Sequence, residues 1–91
     1  MKKFKENIFT KNYPTIDLHG MTSDIAEVYI NDFIAENIKL KNKNIVIIHG
    51  IGEGILSKKT EYILSRHKNV ESYKKDYFNL GTTIVTLKLD R

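Results

Sequence analysis

Ile45-Val46-Ile47-Ile48-His49-Gly50-Ile51-Gly52-Glu53-Gly54 is the stretch that decides the fold. Four consecutive β-branched residues read as a strand covered on both faces, and the glycines that follow are too dense for helix. Upstream, Lys41-Asn42-Lys43-Asn44 is a polar turn. Downstream, Leu56, Thr60, Ile63 and Leu64 recur at helical spacing, and Arg66, His67 and Lys68 supply the positive charge that the end of a helix dipole prefers. The spacing predicts a helix over about residues 55–67, entered directly from the glycine loop.

Working towards the N-terminus, Ile25, Ala26, Tyr29, Ile30, Phe33, Ile34 and Ile38 form a wide apolar stripe. They predict a helix over about residues 23–40, with Thr22 or Ser23 as its N-cap. Before it, Thr15-Ile16-Asp17-Leu18-His19 reads as a short strand stopped by Gly20. Towards the C-terminus, Val70 to Tyr77 reads as extended, and Thr82 to Leu89 alternates as a half-buried strand should. Asn79-Leu80-Gly81 turns between them, so the last two strands pair antiparallel. The order strand, helix, strand, helix, strand, strand predicts an α/β fold: a two-layer α/β sandwich with a βαβαββ mixed sheet that begins parallel and closes on a hairpin.

Ninety-one residues suit one compact domain. We divide the chain into a basic N-terminal arm, residues 1–14, and a domain over 15–91. The arm carries Lys2, Lys3, Lys5 and Lys11, with Phe4, Ile8, Phe9 and Tyr13 among them, and ends at Pro14. It suits either a stacking basic arm or a segment packed on the domain. The chain has no cysteine, which excludes disulfides, thiolate zinc and a cysteine nucleophile. Neither a signal peptide nor a membrane span is readable, so a cytoplasmic location is expected. Fifteen basic against eleven acidic residues give a net charge of +4. Because that charge is almost all lysine, a polyanionic partner is expected to be gripped by its phosphates more than by its bases. Equally, such a charge suits a merely solvated surface.

In α/β sheets, ligands bind outside the carboxyl ends of parallel strands. Two polar clusters fall there: Asp17-Leu18-His19-Gly20 and His49-Gly50-Ile51-Gly52-Glu53-Gly54. Asp17 and His19, two apart, share a face. They suit an acid/base pair, with the carboxylate orienting the imidazole, and they equally suit a loop cap. With His49 they also suit a two-histidine, one-carboxylate metal set. Gly50, Gly52 and Gly54 let backbone approach a phosphate at a helix N-terminus, with Lys58 and Lys59 one turn on. The same glycines suit a simple tight turn. Tyr62, Tyr73, Tyr77 and Phe78 read as core or edge packing rather than as stacking platforms.

Together, the Ile-Asp-Leu-His-Gly box, the Ile-Ile-His-Gly-x-Gly-x-Gly box about thirty residues later, and the closing Gly-Thr-Thr-Ile-Val strand resemble the Smr (small MutS-related) domain over about residues 15–89. The resemblance implies a fold like the C-terminal domain of translation initiation factor 3, and nucleic-acid binding. It also implies an endonuclease that nicks DNA or cleaves RNA, some relatives acting at stalled ribosomes. Carried over, Asp17 and His19 become the catalytic candidates, and His49, Gly50, Gly52 and Gly54 the substrate-binding ones, to which Lys58 and Lys59 are added from their spacing. Two departures stand out. Ser57 occupies a place where such domains often have a basic residue, and Gly81 is a single glycine where they often have several.

The expected partners are therefore DNA or RNA, with the ribosome as a further candidate. No metal site is assigned, and no cofactor is expected for RNA cleavage, whereas DNA hydrolysis calls for an activated water with a divalent ion. The alternative is a non-catalytic nucleic-acid or ribosome-binding module. A small-molecule phosphate binder rests on the glycine loop alone and lacks the full G-x-G-x-x-G pattern.

Overall fold

The computed structural model describes residues 12–89. In chain order the elements are β1 (Thr15–Asp17), α1 (Ser23–Lys39), β2 (Asn44–Ile48), α2 (Ile55–Arg66), β3 (Val70–Lys75) and β4 (Thr82–Leu87). They form the expected two-layer α/β sandwich, with one four-stranded mixed sheet in the order β1-β2-β4-β3. β1 runs parallel to β2, and β4 lies antiparallel to both β2 and β3. The final hairpin thus inserts β4 beside β2, which makes the end of β2 a neighbour of the start of β4.

Register explains which residues are buried. Ile45 faces Val85, and Ile47 faces Thr83, so these four share one side of the sheet. Ile45, Ile47 and Val85 join Leu18, Ala26, Ile30, Ile34, Ile63 and Leu64 in one core, and both helices pack on that side. His49 continues the row Ile45, Ile47 beyond the end of β2, and it is only 4% exposed.

α1 starts where Thr22 Oγ1 accepts the Ile25 amide at 3.3 Å, as an N-cap should. Its buried stripe is narrower than the sequence spacing suggests, because Ile25 and Tyr29 are about half exposed. Asn37, by contrast, is buried, with Nδ2 donating to the Phe33 carbonyl at 2.9 Å and Oδ1 accepting from Asn42 Nδ2 at 2.9 Å.

β4 ends at Leu87 instead of Leu89, and β1 and β3 also stop earlier than the sequence predicts, these two for one reason. Asp17 Oδ1 accepts the backbone N–H of His19 at 3.1 Å, and Asp76 Oδ1 accepts that of Phe78 at 2.9 Å. Each aspartate turns its chain out of the sheet two residues on. So β1 ends at Asp17 instead of His19, and β3 at Lys75 instead of Tyr77. Among the described residues, no helix is long and apolar enough to cross a membrane. The arm's basic and aromatic residues up to Lys11 lie outside the described residues.

Candidate functional site

The turn that ends β1 builds the first half of the site. Because the Asp17 carboxylate draws the His19 backbone back, it also meets the imidazole: Asp17 Oδ1 lies 2.6 Å from His19 Nδ1. A carboxylate oxygen accepts, so Nδ1 carries the proton and Nε2 faces outward. The dyad is open to solvent, with side chains 71% and 50% exposed for His19 and Asp17. Hydrogen bonding to Asp17, with its charge, holds the His19 pKa above the ordinary 6.5, and the same bond holds the Asp17 carboxyl below 3.8.

The glycine loop builds the second half. Gly50, Gly52 and Gly54 all take positive φ, and Gly54 at φ 86° is the N-cap of α2. Among the described residues, no side chain caps that helix. The Lys58 N–H is the first to bond back, to the Gly54 carbonyl at 2.9 Å, so the amides of Ile55, Leu56 and Ser57 have no partner within the helix. A cleft of about 420 Å³ runs between the two halves, walled by His19 and Gly20 on one side and by Gly50 to Leu56 on the other. A Cβ built on Gly50 would lie 3.3 Å from the His19 Cβ, so the boxes touch.

His49 supports this arrangement from inside. Its Nδ1 donates to the Gly50 carbonyl at 3.0 Å, which leaves Nε2 to accept from Thr83 Oγ1 at 2.9 Å. Burial pushes its pKa below 6.5, with nearby Lys75 adding to the effect. Both ring nitrogens are occupied and the ring is neutral, so His49 fixes the loop's path rather than presenting a ligand atom. The Asp17, His19, His49 metal set is therefore not assembled. Among the described residues, no three His, Cys, Asp or Glu side chains converge to hold an ion.

Gly81 locks the loop from the other side. Its carbonyl accepts both the His49 and Gly50 amides, at 2.8 and 3.0 Å. At φ +84°, a Cβ there would meet the Gly50 carbonyl carbon at 3.0 Å and its Cα at 3.1 Å.

The lysines divide differently from the sequence reading. Lys59 pairs with Glu27 of α1 at 2.9 Å, and none of Lys58, Lys59 and Lys75 lines the cleft; Lys75 lines a neighbouring pocket with Ser57 and Glu61. Lys75, in the last position of β3, donates to Ser57 Oγ at 2.9 Å. A basic group from β3 thus stands at the first turn of α2, where the sequence has only Ser57. Lys75 pairs with Thr83 across the β3–β4 ladder, and only that non-local register could have signalled it. Aromatic positions also need correction. Tyr73 is half-buried against the core, but Tyr77 is 89% and Phe78 79% exposed. The Asp76 turn ends the strand before them, so they pack on neither core nor edge.

A family model described as the Smr domain matches residues 16–88. Endonuclease MutS2 of Lactococcus lactis subsp. cremoris (strain MG1363) is 26% identical over 88 residues, covering 97% of this chain and 11% of that protein. Endonuclease MutS2 of Clostridium tetani is 36% identical over 72 residues, 79% of this chain and 9% of that protein. The chain thus spans about a tenth of the length of these curated relatives. Among solved structures, the crystal structure of the Smr domain of Thermus thermophilus MutS2 superposes with a TM-score of 0.80 at 28% identity, covering 82% of this chain and 98% of that one. YdaL, a stand-alone small MutS-related protein from Escherichia coli, shares the fold with a TM-score of 0.78 at 20% identity, over 88% of this chain and 70% of that one.

Proposed function

This chain belongs to the Smr domain family, and on that premise we propose that it binds nucleic acid and cleaves RNA, with His19 moving the proton and Asp17 orienting it. The supporting observation is the 2.6 Å Asp17–His19 pair on the rim of the same cleft that the N-terminus of α2 lines. Unpaired amides and a positive dipole end suit a phosphate, and a phosphate seated there lies beside His19. The relatives named as endonucleases support phosphodiester cleavage as the reaction class, without naming the substrate.

What these residues supply unaided is proton transfer. RNA carries its own nucleophile, so proton transfer suffices. His19 Nε2 takes the 2′-hydroxyl proton as the 2′-oxygen bonds to phosphorus and the bond to the 5′-oxygen breaks. The departing oxygen collects a proton from solvent, and His19 returns its own to solvent. Asp17 stabilises the imidazolium formed in between. The products are a 2′,3′-cyclic phosphate and a 5′-hydroxyl. DNA lacks the 2′-oxygen and needs an activated water, for which a divalent ion is the usual device. The described side chains do not fit a resident ion, so no step is routed through one.

The test is cleavage of labelled single-stranded RNA and supercoiled plasmid, with and without chelator, by the wild type, Asp17→Ala and His19→Ala. Expected is RNA cleavage that survives chelator and is lost in His19→Ala while binding persists. Undiminished cleavage by His19→Ala overturns its role. Plasmid nicking that requires a divalent ion moves the substrate to DNA. Salt-sensitive binding with no product from either substrate makes the domain a binding module, at the ribosome or elsewhere.

A further inference from the structure

The tip of the β3–β4 hairpin carries two large aromatic side chains that none of the described residues covers. Tyr77 and Phe78 are 89% and 79% exposed, the most exposed large apolar side chains among the described residues. The tip is not loosely hung. Asp76, 3% exposed, accepts the Phe78 amide at 2.9 Å, its carbonyl accepts the Asn79 amide at 3.2 Å, and its own amide donates to the Thr82 carbonyl at 3.0 Å. A buried aspartate therefore pins the turn that holds both rings in water, leaving exposed the apolar surface that folding ordinarily buries.

The tip is also fixed relative to the cleft. Gly81, three residues after Phe78, binds the His49 and Gly50 amides through its carbonyl. Three residues span at most about 11 Å, or roughly three nucleotides at the 3.4 Å stacked spacing. On the other side of the tip, Lys75 reaches the first turn of α2 at Ser57. Rings, a lysine and free helix amides thus follow one another over a short distance. That sequence of groups suits a single strand, whose phosphates seek the amides and lysine while its bases need flat apolar faces. A protein partner fits less well, because the exposed apolar side chains of this turn, Tyr77, Phe78 and Leu80, adjoin helix amides and a lysine that call for an anion. A base paired and stacked within a duplex has no free face to offer.

Resting on the reading that the cleft holds a nucleic-acid phosphate, we propose that Tyr77 and Phe78 form a stacking platform for unpaired bases next to that phosphate, so that the domain selects single-stranded segments over duplex.

The experiment is fluorescence anisotropy with a labelled 12-nucleotide 2′-O-methyl RNA, which lacks the free 2′-hydroxyl that cleavage needs, single-stranded and annealed to its complement, over a range of salt. The proteins are the wild type, Tyr77→Ala with Phe78→Ala, and Tyr77→Phe, with unfolding curves and light scattering on each. Alanine at a stacked position costs about 5- to 150-fold in affinity. The double variant is expected to lose at least that for the single strand, to keep its duplex affinity and salt slope, and to unfold as the wild type does. Tyr77→Phe, which keeps the ring, is expected to bind as the wild type does. Equal wild-type affinity for both forms, or an unchanged double variant, overturns the platform while leaving nucleic-acid binding intact. A wild type that binds neither RNA overturns the nucleic-acid reading and the platform with it. A wild-type dimer that dissociates in the double variant assigns the rings to self-association and overturns the proposal.

Discussion

Gly50 lies directly behind His19. Its φ is +84°, and a Cβ placed on it would stand 3.3 Å from the Cβ of His19. The glycine that lets the loop turn is thus the one that lets His19 sit where it does. Gly54 has nearly the same φ, +86°, with nothing within 4 Å of its absent side chain. The two positions separate strain from contact. Alanine at either is expected to cost about 1 to 2 kcal/mol for the left-handed backbone. Only Gly50→Ala should also displace His19, seen as a shifted His19 imidazole resonance and a fall in RNA cleavage larger than in Gly54→Ala. Equal losses of activity would mean that the contact does not position His19.

The Asp17 bond raises the His19 pKa above 6.5, and Asp17→Asn should return it towards that value. For a general base, the neutral form works, so the acidic limb of the rate profile should move to lower pH in the variant even as the maximum rate falls. The stability effects have definite signs. The raised histidine contributes below pH 6.5 and is lost as pH rises through its folded pKa, while the lowered Asp17 contributes above pH 3.8 and is lost on acidification through its folded value. Because both side chains are widely exposed, these contributions are small. An NMR titration of His19 with the same midpoint in Asp17→Asn would contradict the assigned orienting role.

His49 behaves in the opposite sense. Its pKa is lowered by burial, so below pH 6.5 the unfolded chain takes a proton that the folded one resists, and stability falls with acidification. His67, lowered for the same main reason, adds to the trend. His49→Gln should flatten the loss of stability between pH 6.5 and 5 in urea titrations, whatever it costs at pH 7. Thr83→Val removes the hydroxyl that donates to Nε2 and leaves a buried acceptor unmatched, for about 1 to 3 kcal/mol.

Gly81→Ala should be the most damaging of the glycine changes. Its Cβ would meet backbone carbon at 3.0 and 3.1 Å, and backbone cannot step aside as a side chain can. Left-handed strain of about 1 to 2 kcal/mol adds to about 1 to 3 kcal/mol for overpacking. A loss of about 2 to 5 kcal/mol in urea unfolding is expected. A smaller loss than in Gly54→Ala would show that the hairpin shifts off the loop at little cost.

Local chemistry made much of this legible from sequence. The α1 stripe, the apolar run of β2 and the alternation of β4 each follow from side-chain period. The two polar boxes fell at strand ends because a sheet puts them there. What escaped were consequences of register. That His49 ends in the core row with Thr83, and that Lys75 lies beside the start of α2, depends on β4 pairing with both β2 and β3. Spacing along the chain holds no record of that pairing. The exposure of Tyr77 and Phe78 escaped for a local reason: Asp76 was counted as a strand residue, when its side chain makes the turn.

The two lysines that the structure sorts apart supply the last prediction. Lys59 is held by Glu27 at 2.9 Å, and that pairing raises its pKa, so its charge is already partly balanced within the fold. Among the described residues, Lys75 is hydrogen-bonded to a neutral hydroxyl, Ser57 Oγ, beside helix amides that favour an anion. Lys75→Gln should therefore weaken single-stranded and duplex RNA alike and lower the slope of log affinity against log salt by about 1. Lys59→Gln should leave the slope near the wild-type value. Binding isotherms at four salt concentrations distinguish the two, and a slope that falls only in Lys59→Gln would place the phosphate track along α2 instead of at its N-terminus.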